Sequence, residues 1–251
     1  MLSKKITGAI VLRDSHGCRI QRIGDTVVKS GPTVESAEAT ALELISRRLD
    51  VPVPRFHSTS TRLDGTTSIS MDYVDGHTLS DIWTSLSNEQ KRAIAEQLRV
   101  IVIAMRSLQP ENNTIGSCGG GPTIDIRRYS IYKGGPFADE DAFNDFLASD
   151  VLPATPSILV RKFRQQLRTD HRLVFTHGDI AQHNVIIKDN NVVALLDWQC
   201  AGWYPEYWDY VKFFMRPAKS KDWYEYADII FPQIYDDELF QWQFLARYQS
   251  P

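Results

Sequence analysis

Asp179 and Asn184 stand five residues apart in the stretch VFTHGDIAQHNVII (174–187), and Asp197 follows Asp179 by eighteen residues. Neither Asp nor Asn favours a helix or strand interior, so local structure does not account for them. Asn184 and Asp197 offer hard oxygen donors, which suit Mg²⁺ when phosphate completes its shell. Asp179 is left to orient a hydroxyl or to accept its proton. A lysine on an N-terminal strand, held by a helix glutamate, would complete the parts needed for phosphoryl transfer from a nucleotide.

The elements that must position these residues follow from pattern. Leu173–Thr176 reads as a strand leading into the loop. Val185–Lys188 and Val192–Leu196 form a hairpin around the Asp189-Asn190-Asn191 turn, which brings Asp197 back to the loop. Near the N-terminus, Ala9–Leu12 and Arg19–Ile23 flank an Asp14–Gly17 turn, and Thr26–Lys29 reads as a short strand ending in lysine. Ser30–Thr33 then opens a helix from about Val34 to Leu49. At 100° per residue, Ala37, Ala41, Leu42 and Ile45 share its apolar face. Glu38 falls near the middle of that face, Glu35 at its edge and Glu43 on the solvent side. A carboxylate on a buried face is costly unless a cation meets it, and Lys29 is the nearest candidate; Glu35 remains the alternative partner.

Strands at Arg55–Ser60 and Thr67–Met71 and an extended connector at Asp72–Gly76 follow. The chain then turns mostly helical. Ser87 with Gln90 forms a capping box for a long helix to about Leu108, and helices are expected at 138–149 and 156–169. Gly116–Pro122 reads as a flexible surface loop. The expected fold is α+β: a β-rich lobe with one helix over residues 1–74, then a mainly α lobe over 75–251 with one small hairpin, and a ligand cleft between them.

Composition excludes several classes. Hydrophobic residues at 43% and charged residues at 24% match an ordinary globular protein. A net charge of −3 offers no reason to expect nucleic acid or an anionic membrane as partner. No apolar run approaches the length of a membrane span, and the N-terminus shows no convincing signal-peptide cleavage site. Cys18, Cys118 and Cys200 are few and far apart, which suits reduced thiols in the cytoplasm.

His177-Gly178-Asp179-Ile180-Ala181-Gln182-His183-Asn184 resembles the H-G-D-x-x-x-x-N catalytic loop of the aminoglycoside phosphotransferase and choline kinase superfamily, the small-molecule branch of the protein-kinase-like fold. Asp197 has the spacing of that family's magnesium aspartate. Gly202 and Asp209 match its later glycine and buried aspartate. The wording Ala201–Asp209 is similar to fungal members. More weakly, Val27-Val28-Lys29 resembles the phosphate-binding lysine strand, Glu38 its helix partner, and Met71-Asp72-Tyr73-Val74 the hinge. The resemblance implies that the Asp72 carbonyl and Val74 amide bind the adenine edge. It further implies ATP, or GTP, with Mg²⁺ on Asn184 and Asp197, Asp179 as the catalytic residue, and a small-molecule hydroxyl as acceptor. Protein kinases show Arg in place of Gly178 and Phe-Gly after Asp197; this chain has Trp-Gln. No G-x-G-x-x-G precedes Lys29, so the Asp14–Gly17 turn or its surroundings is the candidate phosphate cover. The same residues also fit an inactive nucleotide-binding or scaffolding member.

His177 is expected to be a structural hydrogen-bonder, and Asp209 to brace the catalytic loop through its backbone. Residues 198–251 hold 17 of the 27 aromatics, with eight acidic and five basic side chains. They form either an aromatic-packed helical subdomain or part of an acceptor pocket. The small acidic excess does not single out a polycationic acceptor.

Overall fold

The computed structural model of the protein describes residues 8–127 and 130–249. The first seven residues, where the N-terminal signal was sought, lie outside the described residues. β1 (Ile10–Ser15), β2 (Cys18–Ile23) and β3 (Thr26–Gly31) form a meander, followed by α1 (Ser36–Arg48), β4 (Phe56–Thr61) and β5 (Thr67–Asp72). The five strands make one antiparallel sheet in the order β1-β2-β3-β5-β4. β3 is central, which holds Lys29 opposite Ile20 on one side and Ile69 on the other.

α1 begins two residues later than its periodicity suggests. Glu35 is the extended residue before the helix and makes no side-chain cap. Val34 instead packs with Ala39 and Ile69 in a small cluster, a hydrophobic staple that fixes the entry angle of the chain. Glu38, Ala41, Leu42 and Ile45 form the buried face.

The remainder is mainly helical. β6 (His77–Thr78) and α2 (Leu79–Ile82) lead to α3 (Asn88–Arg106). Ser87 and Gln90 close a capping box there, Ser87 N–H donating to Gln90 Oε1 at 2.8 Å and Gln90 N–H to Ser87 Oγ at 3.3 Å. Ile94, Leu98, Ile101, Val102 and Met105 turn the apolar side of α3 into the main core. After it come β7 (Gly116–Ser117), β8 (Thr123–Arg127), β9 (Ser130–Gly134), α4 (Glu140–Ala148) and α5 (Ser157–Gln166). Then follow β10 (Leu173–Thr176), β11 (Val185–Lys188), β12 (Asn191–Leu195), β13 (Gly202–Pro205), α6 (Trp208–Met215), α7 (Ala227–Ile230) and α8 (Asp236–Leu245).

Among the described residues, the single small hairpin expected in this half is one of three small sheets: β12-β11-β6, β10-β13-β7 and β8-β9. β7 interrupts the segment read as a flexible loop. It pairs with β13, and Ser117 bridges Gly121 to close the glycine turn. The pairing requires glycine at 202, because a Cβ there would lie 2.2 Å from the Gly116 carbonyl oxygen. Among the described residues, no helix is long and apolar enough to cross a membrane.

Candidate active site

The loop after β10 is held from below by two buried side chains. Asp209, in the first turn of α6, accepts from Gly178 N–H at 2.7 Å and from His177 N–H at 3.3 Å. His177 Nδ1 accepts from Asp179 N–H at 3.1 Å, while its Nε2 lies 3.0 Å from the Leu196 carbonyl. Only the tautomer protonated at Nε2 satisfies both contacts. Burial lowers the His177 pKa, against the pull of Asp179 and Asp209, and so favours that neutral ring. Gly178 has φ +74°, and a Cβ on it would meet the Cys200 carbonyl oxygen at 2.7 Å. A side chain such as Arg is therefore excluded at this position.

Asn184 Nδ2 donates to the Asp179 carbonyl at 3.0 Å. This orients the amide and leaves Oδ1 as its donor atom for a cation. Asp197, just beyond β12, sits in the left-handed region with φ 63° and ψ 71°, a conformation Asp tolerates better than most residues. Its Oδ1 accepts from Lys29 Nζ at 2.8 Å, and Glu38 Oε1 accepts from the same ammonium at 2.8 Å. Burial opposes the Lys29 charge, but the two carboxylates overcome it and raise its pKa. Burial pushes Glu38 up to about 7, against Lys29 and with help from Asp197. Glu35, the alternative partner, instead pairs with Lys133 at 2.5 Å.

Lys29, Glu38, Asn184 and Asp197 line one cavity of about 420 Å³, together with Met71, Asp72 and Val74. That volume lies within the usual range for a small-molecule site. The connector is clamped by its neighbours: Asp72 N–H donates to Arg55 O at 3.0 Å and Tyr73 N–H to Asp25 O at 2.8 Å. The Val74 N–H has no protein acceptor among the described residues. Leu12, Arg13 and Ile20 close the cavity from β1 and β2. The Asp14–Gly17 turn is pinned away at its tip, where Thr33 Oγ1 donates to His16 O at 3.1 Å. The cover comes from the surroundings of the turn rather than its tip: Leu12 and Arg13 just before it, and Ile20 just beyond it.

One contact had no counterpart in the sequence reading. Arg216, just beyond α6, donates from Nε to Asp179 Oδ1 at 2.7 Å and from Nη2 to Oδ2 at 2.6 Å. Burial works to raise the Asp179 pKa, but this two-pronged contact outweighs it and lowers it. The pair is 37 residues apart, and no motif marks it. The apolar periodicity of α6 indicates a buried helix but says nothing of the residue that leaves it.

Two kinds of comparison place the chain among known proteins. The sequence profile of APH, the phosphotransferase enzyme family, matches residues 19–246. The fold is similar to that of the GDP and kanamycin complex of APH(2")-IIia, with 16% identity, TM-score 0.66, and 96% of this chain and 82% of that one covered. It is similar to the GDP complex of wild-type aminoglycoside 2'-phosphotransferase-IIIa at 15% identity and TM-score 0.64, covering 97% and 83%. A thermostable mutant of aminoglycoside phosphotransferase APH(4)-Ia, in a ternary complex with ADP and hygromycin B, matches at 15% identity and TM-score 0.60, covering 83% and 72%. No curated protein matches this sequence.

Proposed function

Because the chain belongs to the phosphotransferase enzyme family, we propose that it moves the γ-phosphoryl group of ATP or GTP to a hydroxyl of a small molecule. The observation that carries this reading is the convergence of Lys29, Asn184 and Asp197 on one 420 Å³ cavity, beside a loop that presents Asp179. The similar structures that hold ADP or GDP, with hygromycin B or kanamycin, support it.

In this reading residues 1–74 form the nucleotide lobe and 75–251 the acceptor lobe. The Asp72 carbonyl and Val74 amide take the adenine edge, with Met71 against the base. Lys29, held by Glu38, contacts the α- and β-phosphates. The Asn184 and Asp197 oxygens fit Mg²⁺, which prefers hard oxygen donors and commonly takes only one or two ligands from the protein; the Asn184 Oδ1 left by its orienting bond is the observation behind that fit. When bound, the cation would neutralise charge on the transferring phosphates. Asp179 aligns the acceptor hydroxyl and takes its proton. Since the transition state in such transfers is loose, alignment contributes more than early proton removal, which suits a carboxylate of lowered pKa. Cytoplasmic residence, and a small molecule rather than nucleic acid or membrane as partner, belong to the same reading.

A second reading, a nucleotide-binding module without turnover, draws on one observation: both Asp179 oxygens are taken by Arg216. A coupled ADP- and GDP-release screen across alcohols, amino-alcohols and hydroxy acids separates the two. Acceptor-dependent release that Asp179→Ala abolishes, with nucleotide binding retained, is the expected result. Near wild-type turnover in Asp179→Ala would overturn the role of Asp179. Stabilisation by Mg-nucleotide with no release from any acceptor would favour the second reading.

A further inference from the structure

Next to the loop that carries Asp179 lies a second cavity of about 70 Å³. The loop residues Ile180–His183 form one wall, and the chain leaving α6 forms the other through Phe213, Arg216 and Lys219. Two observations show it to be chemically unfinished. Gln182 is only 4% exposed, yet neither its amide oxygen nor its amide nitrogen has a hydrogen-bond partner among the described residues. Leaving a buried amide unpaired is costly, so a ligand offering both a donor and an acceptor is favoured there. The lining also carries two permanent cations, Arg216 and Lys219, and no carboxylate. Lys219 leans on Asp81 at 3.3 Å with both side chains exposed, a contact solvent makes weak.

Arg216 is the pivot. Its fork occupies both oxygens of Asp179, the group an acceptor hydroxyl has to reach. Its backbone is fixed, because Tyr224 Oη donates to the Arg216 carbonyl at 2.6 Å and accepts from Ala218 N–H at 3.2 Å. Release of Asp179 is therefore a swing of the Arg216 side chain alone. A second anion in the small cavity competes for the guanidinium, since planar bidentate pairing serves carboxylate and phosphate equally well. A cationic amine entering the same space meets Arg216 and Lys219 and is repelled.

We propose that this cavity is an acceptor subsite for a compact hydroxylated compound bearing a carboxylate or comparable anion, and that this anion draws Arg216 off Asp179. Gln182 takes a neighbouring hydroxyl through its amide. The catalytic carboxylate is thereby uncovered only when an acceptor of the right charge is present. This assignment rests on the phosphotransferase reading for the role of Asp179, but its test reads binding and needs no turnover.

The experiment uses matched probes that differ in one group: glycerate, glycerol and 3-aminopropane-1,2-diol, and the six-carbon set gluconate, glucitol and glucamine. Binding to the full chain is followed by calorimetry and by intrinsic tryptophan fluorescence, to which Trp223 in the cavity lining contributes. In at least one set the carboxylate is expected to bind roughly tenfold or more tightly than its neutral and amino counterparts, the gain from a charge-assisted hydrogen bond. Arg216→Ala should erase that preference. Arg216→Lys, which keeps the charge but not the fork, should retain part of it and so separates recognition from misfolding. Gln182→Leu should weaken the carboxylate and the neutral polyol alike. Equal binding across a set, preference for the amine, or no binding by any of the six probes overturns the proposal and leaves the phosphotransferase reading standing. Carboxylate-selective binding without nucleotide turnover on any acceptor would instead retain the anion subsite and remove that reading.

Discussion

Lys29 and Lys212 are both buried lysines clasped by carboxylates, yet they border different surroundings. Lys29 meets Glu38 and Asp197 at 2.8 Å each and faces a cavity of about 420 Å³. Its cluster holds one cation and two carboxylates, a surplus of negative charge open to a ligand. Lys212 meets Asp125 at 2.6 Å and the Ile126 carbonyl at 2.7 Å, and Asp125 also takes Arg127 at 2.6 Å. The Arg127 guanidinium covers the Tyr132 ring at 4.4 Å, and the adjoining void is only about 10 Å³. That cluster is packed shut: its anion is shared between two cations, and the Arg127 Nη1 and Nη2, which have no hydrogen-bond partner among the described residues, lie against an aromatic face with almost no open volume beside them. Both clusters are unbalanced in charge, so neither burial nor imbalance alone marks a site here; open volume beside the buried charges does.

The sharpest way to break this contrast is to remove one charge from each cluster. Asp125→Ala leaves two buried cations without their anion and should cost about 3–5 kcal/mol of stability, read by urea unfolding. Lys29→Met leaves buried Glu38 without its cation and should also lose stability, but less than Asp125→Ala because a carboxyl can take up a proton, while turnover of the folded protein falls roughly 100- to 1,000-fold, the loss typical of one electrostatic stabiliser. If Lys29→Met unfolds as readily as Asp125→Ala and its folded fraction keeps full activity, the distinction between open and closed clusters fails.

A third buried cation offers a pH test. His171 joins α4 to α8, with Nδ1 2.7 Å from Glu140 and Nε2 3.0 Å from Glu238. Burial alone would lower its pKa, but the two glutamates overcome burial and push it up to about 9. A cation whose pKa is raised on folding stabilises fully below its unfolded value, here 6.5, and loses that contribution as pH rises towards 9. The wild-type melting temperature should accordingly decline between pH 6.5 and about 9, and His171→Gln should flatten the decline in that window. An unchanged slope in His171→Gln would show that this closed cluster does not couple to stability through its charge.

What the sequence made legible follows chain proximity. Asp179, Asn184 and Asp197 share one loop and one hairpin, so spacing alone groups them. The Glu38 contact with Lys29 was accessible because helical periodicity puts a carboxylate on a buried face, and a buried carboxylate demands a cation. His177 and Asp209 meet the loop backbone as their motif positions suggest. Arg216 and Asp125 were not legible. Their partners lie 37 and 87 residues away, and neither pairing leaves a periodicity or a turn signal behind. The β8–β9 hairpin was missed for a related reason: Thr123–Arg127 does alternate polar and apolar residues, but the buried positions include Thr123, Asp125 and Arg127, so the pattern gives no ordinary apolar inner face.

The smallest expected effect concerns the cover of the open cavity. With no glycine-rich turn above Lys29, Arg13 of β1 is the cation that lines the roof, tethered among the described residues by a 2.9 Å bond from Nε to Ser15 Oγ. An exposed charge of this kind contributes at most about 1 kcal/mol, so Arg13→Ala should weaken nucleoside triphosphate binding by no more than about fivefold. The selectivity of the loss is more telling than its size. If Arg13 meets phosphate, affinity for tri- and diphosphate falls while affinity for the bare nucleoside holds, and added salt narrows the gap between variant and wild type. If nucleoside affinity falls equally, the β1 roof acts by packing on the base and sugar, and the open cluster relies on Lys29 alone for its positive charge.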